Sequence, residues 1–395
     1  MFFDIEHSSL FAAFDIYPSA KGASTHIFHN SETLFEFTNG GWMFVLGSPK
    51  LQSYQKEGNI EITRFQEDIP NFLYRTQAYG EKLLQLLSLQ NQLKICHFRD
   101  PWSGLPILIN RKKQQKNYVC IYEVNGLPSI ELPFRYPKLT NATLQKIAGL
   151  ENYCLRNTDY IICPSEVIKA NLVKTGVSPQ KIEVITNGAD TPQKLEKPDT
   201  LPEKYIIYFG ALQPWQGLDI LMKAFTYLAD YPEIQLVICS STRSKYSKSY
   251  QKLADKLHIT ERIIWNFQLS KKELYEWVHH AMFSIAPLTE CSRNLQQGCC
   301  PLKILESMAL KTPVIASDIP AVREIINHEQ LGRLVRPGRP AEFARAMRIL
   351  IEYPELREKI ATEAFEHILK NFTWEQKRED LKRFYTQIMH RHFVL

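Results

Sequence analysis

The sequence has no apolar run that approaches the roughly 20 residues needed for a helix to span a bilayer. Its first residues, Met-Phe-Phe-Asp-Ile-Glu, include acids where a secretory signal would carry lysine or arginine. The eight cysteines are scattered, without the two-residue spacing of zinc sites or the density of a disulfide scaffold. We therefore expect a cytoplasmic protein with reduced, mostly buried thiols.

Several catalytic signatures are absent as well. We find no glycine-rich dinucleotide fingerprint, no phosphate loop with Gly-Lys-Ser/Thr, no helical zinc pair and no Gly-x-Ser-x-Gly elbow. These absences weigh against a dehydrogenase, a P-loop kinase, a metalloprotease and a serine hydrolase.

Positive charge is present but not concentrated. The net charge is +6, and the densest basic run, residues 111–116, fits a solvated loop between a helix and a strand. Nucleic-acid binding would need more clustering, so we predict no nucleic-acid partner. An alternative left open is that basic residues of the first half touch an anionic membrane surface or a lipid diphosphate.

The length of the chain favours two domains. At 395 residues it exceeds the roughly 250 to 300 residues at which a single core stops growing. Residues 189–204 contain three prolines and no apolar periodicity, which is typical of an interdomain linker. We predict domains over residues 1–188 and 205–370, followed by a C-terminal helix over residues 371–395.

Short, continuous apolar runs alternate with helical segments in both halves of the chain. Such runs indicate strands that are covered on both faces, hence mostly parallel sheets. They lie at residues 10–17, 42–46, 93–98, 118–124, 205–209, 234–239 and 314–316. From residue 341 onward the pattern is helical, with breaks near Pro354 and Asn371. We therefore predict two consecutive open α/β domains, with ligands beyond the carboxyl ends of the strands.

Residues 293–306 contain the strongest candidate site. Pro301 stands at a predicted helix start, and Glu306 lies inside an otherwise apolar turn of that helix. A proline suits the first turn of a helix, whose free N–H groups and positive dipole end favour an anion. We predict a phosphate site there.

The segment around Glu306 resembles the donor-binding signature of retaining glycosyltransferases of family 4, which have two facing Rossmann-like domains in the arrangement called GT-B. The likeness extends over nearly the whole chain. Its other stretches are residues 21–26, 100–104, 123–126, 163–165, 184–190 and 208–217. The resemblance implies a cleft between an acceptor-binding first domain and a nucleotide-sugar-binding second domain, and C-terminal helices that cross back to the first.

The resemblance also implies an activity. It is the transfer of a sugar from a UDP- or GDP-sugar to an acceptor hydroxyl with retention of configuration, without a metal or other cofactor. The acceptor would be a carbohydrate or a lipid-linked molecule, as in polysaccharide, glycolipid or glycoconjugate synthesis, with peripheral contact at the inner membrane face as an open alternative. Two other functions stay open: an inactive family member that acts as a binding subunit, and a sugar phosphorylase or sucrose-type enzyme.

On the donor side, the resemblance assigns roles residue by residue. Glu306 matches the glutamate that holds the ribose hydroxyls, and Gly22 matches the glycine-rich loop beside the donor diphosphate. The first glutamate of the family's pair is replaced by Gly298, and its phosphate-holding arginine and lysine are replaced by Ala211 and Gln216.

Two expected cations are therefore missing, and other groups must face the phosphates. Arg293 and Lys303 are our candidates, because the leaving diphosphate needs its growing negative charge stabilised. The further donor-binding candidates in this segment are Asn294, Gln297, Pro301 and Leu302.

In the first domain the assignments are less specific. His97 and Asp100 stand at a strand end where the family often has a histidine-containing motif, so both are catalytic candidates. The alternative for His97 is a hydrogen-bonded core residue. Glu123 and Asn125 are acceptor-side candidates, with structural pairing as the alternative for Asp100 and Glu123.

Overall fold

The structure is a computed structural model that describes residues 7–19, 22–192, 195–198 and 200–393. It divides the chain into two compact units. The first contains the residues up to Ile185 together with those from Lys377 onward, and the second contains Thr186–Gln376. Within the described part of the chain, no helix combines the length and apolarity needed to cross a membrane.

The sheet of the first unit is mainly parallel. Its strands are β1 (Ser9–Ile16), β2 (Gly41–Leu46), β3 (Tyr54–Glu57), β4 (Ile60–Phe65), β5 (Ile95–Phe98), β6 (Val119–Glu123), β7 (Tyr160–Cys163) and β8 (Ile182–Val184). They are ordered β3-β4-β2-β1-β5-β6-β7-β8, and the β3–β4 pair is antiparallel. The prediction of a mostly parallel sheet is confirmed, but the β3–β4 hairpin was not predicted.

Helices cover both faces of this sheet. They are α1 (Gly22–Phe37), α2 (Phe72–Leu87), α3 (Pro101–Lys113), α4 (Pro128–Arg135), α5 (Asn141–Asn157) and α6 (Glu166–Lys174). Successive residues of β1 point to opposite faces, so that Leu10 joins one buried cluster and Phe11 joins another. Because both clusters are buried, the strand reads as a continuous apolar run.

The second unit contains a wholly parallel sheet. Its strands are β9 (Tyr205–Gly210), β10 (Gln235–Ser240), β11 (Ile263–Phe267), β12 (Ser284–Ala286), β13 (Val314–Ser317) and β14 (Arg333–Val335), in the order β11-β10-β9-β12-β13-β14. Its helices are α7 (Leu218–Thr226), α8 (Lys248–Lys256), α9 (Lys271–His279), α10 (Leu302–Ala309), α11 (Pro320–Arg323), α12 (Pro340–Glu352) and α13 (Pro354–Asn371). The last helix, α14 (Trp374–Phe393), lies mainly in the first unit. The predicted helical tail and its two breaks are confirmed.

Each sheet has a point at which the strand order reverses. In the second unit the chain runs from β9 outward to β11 and then returns to β12 on the other side of β9. In the first unit, β1 lies between β2 and β5 in the same way. Ligands of open α/β sheets bind beyond the carboxyl ends of the strands at such points. The topology therefore singles out the loops after β9 and β12, and those after β1 and β5.

Candidate functional site

Two loops meet at the strand reversal of the second unit. One comprises residues 211–217 after β9, and the other follows β12 and contains a turn of π-helix, Arg293–Gln297. The backbone N–H of Thr289 donates to the Trp215 carbonyl at 3.1 Å. The amide nitrogen of Asn294 donates to the carbonyls of Trp215 and Thr289, at 2.9 and 2.8 Å. These hydrogen bonds hold the two loops together at the predicted ligand edge.

Lys303 lies in the first turn of α10 and reaches the loop after β9. Its Nζ donates to Oε1 of Gln216 at 2.5 Å and lies 4.4 Å from the centroid of the Tyr208 ring. Burial lowers the pKa of Lys303 to about 7, and the positive charge of Arg293 acts in the same direction. A cation that is costly to keep charged in the free protein is suited to bind an anion.

Glu306 follows Lys303 by one helical turn on the same face of α10. Burial raises the pKa of Glu306 to about 7, and the nearby Asp190 carboxylate raises it further. Lys271, a hydrogen bond from the Tyr275 hydroxyl, and Lys303 act in the opposite direction. Glu306 is therefore a poorly solvated carboxylate within a polar surround, which is typical of a binding group.

The other predicted donor residues fall in the same stretch. The guanidinium of Arg293 lies 5.7 Å from the centroid of a Trp215 ring, and its Nη1 donates to Oδ1 of Asn294 at 3.2 Å. Asn294 and Gln297 are fully buried. Because both ends of the Asn294 amide have protein partners, this side chain holds the π-helical turn in place, and its contact with a sugar stays a prediction.

The start of α10 agrees with the predicted helix boundary. Pro301 is the residue before the helix, and its carbonyl accepts a hydrogen bond from the Ile304 N–H at 3.0 Å. Leu302 is the first helical residue. The free N–H groups of this turn lie beside Lys303, which places a helix N-terminus and a cation together.

Gly298 ends the π-helical turn with φ 86° and ψ 178°. This backbone region is essentially restricted to glycine. Its N–H donates to the Arg293 carbonyl at 3.1 Å, which closes the turn. The position that carries a glutamate in the family therefore has a backbone conformation that disfavours a side chain.

We expect Gly298→Ala to lower the free energy of unfolding by about 1 to 3 kcal/mol, the usual cost of a sparsely populated backbone conformation. Gly298→Glu should be destabilised at least as much. Urea unfolding measures both. Gly149→Ala is the control, because this glycine lies in α5, a Cβ added there would have no atom within 4 Å, and the substitution should increase stability. Equal stability of Gly298→Ala and the wild type would contradict the conclusion that the backbone conformation at position 298 disfavours a side chain.

A buried charge cluster lies at the strand reversal of the first unit. Nε of Arg99 donates to Oε1 of Glu123 at 3.0 Å, and its Nη1 lies 3.4 Å from Oδ2 of Asp15. Nε2 of His97 lies 3.2 Å from the other oxygen of Glu123. Burial by itself would raise the pKa of Glu123. The positive charge of Arg99 and the hydrogen bond to His97 outweigh burial and hold this pKa well below its usual range.

Arg99 was missed at the sequence level. Its one available signal is its position between His97 and Asp100 at the end of an apolar strand. Nη1 of Arg99 also donates to the Ala23 carbonyl at 3.3 Å, next to Gly22, the exposed first residue of α1. Gly22 and the strand-end candidates therefore belong to one neighbourhood of the first unit.

The remaining candidates of the first unit all have protein partners. Asp100 caps α3, accepting hydrogen bonds from the N–H groups of Ser103 at 2.8 Å and Phe14 at 2.6 Å. Burial raises the pKa of Asp100 to about 6. The Asn125 amide donates to Glu123. These bonds match the structural alternative for Asp100 and Glu123, and the catalytic and acceptor roles stay predictions.

His97 is fully buried on β5, with Nδ1 2.7 Å from the Tyr385 hydroxyl of α14. Its Nε2 lies beside the Glu123 carboxylate, so the environment of His97 matches the alternative of a hydrogen-bonded core residue. We expect Tyr385→Phe to cost about 1 to 3 kcal/mol of unfolding free energy, because it leaves a buried polar atom unsatisfied. Urea unfolding checks this against Tyr74→Phe, a residue that is 68% exposed. Equal effects of the two substitutions would contradict a stabilising hydrogen bond between Tyr385 and His97.

Comparisons with known proteins agree with this architecture. Residues 21–193 match the model of glycosyltransferase family 4, and residues 190–367 match that of glycosyl transferases group 1. The chain is 26% identical over 255 residues to the D-inositol 3-phosphate glycosyltransferase of Corynebacterium efficiens, a match over 60% of this chain and 58% of that protein. The chain thus aligns with less than two thirds of this relative's length.

Two solved structures show the same fold. Sucrose-phosphate synthase from Thermosynechococcus elongatus superposes with a TM-score of 0.79 and 16% identity, over 97% of this chain and 100% of that chain. Anabaena HepE in complex with UDP and glucose superposes with a TM-score of 0.72 and 16% identity, over 96% and 99%. Since the two family models together extend over residues 21–367 and both units have the expected parallel sheets, the chain belongs to the glycosyl transferases group 1, with the GT-B fold.

Proposed function

We propose that this protein transfers a sugar from a nucleotide-diphosphate sugar to an acceptor hydroxyl. The observation that carries the proposal is the pair Lys303 and Glu306, one turn apart at the start of α10, beside the strand reversal of the second unit. A cation and a carboxylate with this spacing complement the diphosphate and the ribose of one nucleotide. The match to the group 1 family model over the same residues supports it.

The ribose contact is assigned to Glu306. An ionised carboxylate has acceptor sites for both vicinal hydroxyls of a ribose, and such charge-assisted hydrogen bonds are stronger than neutral ones. The hydrogen bond from Tyr275 and the positive charge of Lys271 favour the ionised form of the carboxylate. The carboxylate therefore binds the sugar part of the nucleotide without contacting the phosphates.

The diphosphate contact is assigned to Lys303, Arg293 and the N–H groups at the start of α10. Negative charge accumulates on the diphosphate as the bond to the anomeric carbon breaks, and preorganised positive groups stabilise that change. The bound phosphates in turn favour the charged form of Lys303. These groups act on the leaving group, which is where a transferase needs them.

Retention of configuration and independence of metal ions are part of the proposal and rest on the family resemblance. The acceptor oxygen bonds to the anomeric carbon on the face from which the diphosphate leaves, and the hydroxyl proton passes to a diphosphate oxygen. Glu123 and Asn125 are the proposed acceptor-side residues of the first unit, for a carbohydrate or lipid-linked acceptor. UDP is the first donor nucleotide to test, because solved relatives of this fold hold UDP and UDP-glucose.

A thermal-shift screen of nucleotide sugars tests the proposal. A ligand that binds the native state raises the unfolding temperature with the logarithm of its saturation. We expect a shift with a UDP- or GDP-sugar and with its nucleoside diphosphate, and slow hydrolysis of that sugar nucleotide in the absence of acceptor. Failure of every nucleotide to bind at millimolar concentration would overturn the proposal. Binding without any sugar release would favour an inactive binding subunit instead.

A further inference from the structure

Lys303 and Gln216 meet across 87 positions of sequence, with the Lys303 Nζ 2.5 Å from the amide oxygen of Gln216. Position 216 is where the family resemblance places a phosphate-binding lysine. A second ammonium at that distance would repel the first strongly, since like charges in a poorly solvated site disfavour ionisation. The chain therefore has room for one cation at this point, and it comes from α10.

The surroundings of Lys303 form a slot for its side chain. Gly210 ends β9 with φ 131°, and a Cβ there would lie 3.2 Å from Nζ and 3.4 Å from Cε of Lys303. The Tyr208 ring lies 4.4 Å from Nζ, and its hydroxyl donates to the Ala211 carbonyl at 2.9 Å. The Lys303 side chain thus lies between the Tyr208 ring and the backbone of Gly210, and its ammonium is hydrogen-bonded to the Gln216 amide.

A neutral amide suits this position better than a carboxylate would. A lysine side chain has many rotamers, and this conformational freedom must be lost for the ammonium to occupy one place. The amide oxygen of Gln216 and the Tyr208 ring restrict that freedom before any ligand binds, and neither group carries a negative charge that would neutralise the ammonium. A glutamate at 216 would instead form an ion pair that competes with a phosphate.

We propose that Gln216 is a positioning residue that holds the Lys303 ammonium in place for the donor diphosphate. In this protein the cation that the family carries in the loop after β9 is supplied from α10 and oriented by that loop. The inference rests on the proposed function, because it assigns a partner to the diphosphate-binding lysine.

A double-mutant cycle tests the inference. UDP, uridine and inorganic pyrophosphate are titrated against the wild type, Gln216→Ala, Lys303→Met and the double variant. We expect Gln216→Ala to weaken UDP and pyrophosphate binding threefold to tenfold and to leave uridine unchanged. In the Lys303→Met background, Gln216→Ala should have no further effect, because no ammonium remains to be positioned.

The pH dependence of pyrophosphate affinity supplies a second test, because it would not change if Gln216 had a purely structural role. Gln216→Glu should shift the loss of pyrophosphate affinity to higher pH, because a carboxylate favours the charged lysine, and it should weaken that affinity at pH 6 by competition. Additive losses in the cycle, equal losses for uridine and UDP, or an unshifted profile would overturn the inference. Wild type that binds neither pyrophosphate nor any nucleoside diphosphate, UDP and GDP included, would overturn the proposed function itself, so the two failures are distinguishable.

Discussion

Glu306→Ala is expected to weaken the binding of a nucleoside diphosphate about a hundredfold or more. The carboxylate is assigned two hydrogen bonds from ribose hydroxyls, and hydrogen bonds to charged groups each contribute about 1.5 to 3 kcal/mol. Calorimetric titration with UDP and GDP measures the loss. Glu306→Ala that binds the nucleotide as tightly as the wild type would remove the ribose assignment.

The same substitution has two opposing effects on the stability of the free protein. It removes the cost of ionising a poorly solvated carboxylate, and it removes the acceptor of the Tyr275 hydroxyl. Because the folded-state pKa of Glu306 is raised from 4.5 to about 7, the folded chain holds a proton that the unfolded chain has already lost between these values. Stability from this group therefore falls as pH rises from about 4.5 to 7, and its full cost is present above pH 7. At pH 8 we expect the two effects to offset each other, so that Glu306→Ala unfolds close to the wild-type temperature.

Glu151 is the matched control for Glu306. Burial also raises its pKa to about 7, but its oxygens accept hydrogen bonds from the N–H and hydroxyl of Ser129, at 2.6 and 2.5 Å. Glu151→Ala should lower the unfolding temperature, because it leaves these donors unpaired, and should leave nucleotide affinity unchanged. The two carboxylates thus separate a binding role from a structural one.

The second large effect concerns Lys303 and pH. Its pKa of about 7 means that the free protein loses this positive charge as pH rises through neutrality. If the diphosphate binds to the charged form, UDP affinity should fall above pH 7, approaching tenfold per pH unit, whereas uridine affinity should stay constant. Lys303→Met should weaken UDP binding tenfold to a hundredfold at pH 6 and abolish this pH dependence.

Titration of UDP and uridine between pH 6 and pH 9 checks the prediction. Lys252→Met serves as the control, because Lys252 is an exposed cation of α8 in the same unit. It should leave both the affinity and the pH profile unchanged. A profile of Lys303→Met that still falls above pH 7, or an equal loss for uridine and UDP, would assign the phosphate contact to another group.

The strands could be predicted where they form continuous apolar runs in the sequence. Residues such as Leu10 and Phe11 face opposite sides of one sheet, and both sides are covered, so the run is apolar at every position. The β3–β4 hairpin was missed because β4 buries Glu61 and Arg64. Arg64 is bonded to the Tyr17 carbonyl, 47 positions away, a partner that the local pattern does not reveal.

The same division applies to the candidate sites. Pro301 and Glu306 were found from a short segment because the start of a helix and a carboxylate on it are set by neighbouring residues. Arg99 was not found, because its partners Asp15 and Glu123 lie on two other strands of the sheet. Asp100 is the opposite case, a residue that the sequence offered as a catalytic candidate and that caps a helix in the structure. The sequence does not separate the two roles, because a polar residue at the end of a strand can serve as a helix cap or as a ligand-binding group.

By itself, the sequence determined the two parallel α/β domains, the helix that carries Lys303 and Glu306, and the absence of the usual cations at positions 211 and 216. These properties depend on residue type and on spacing within single elements. Only the tertiary structure decided that Lys303 fills the space beside Gln216, and that Glu306 has Tyr275 and Lys271 around it. Such contacts join residues from separate strands and helices, because the order of strands in the sheet determines which loops meet.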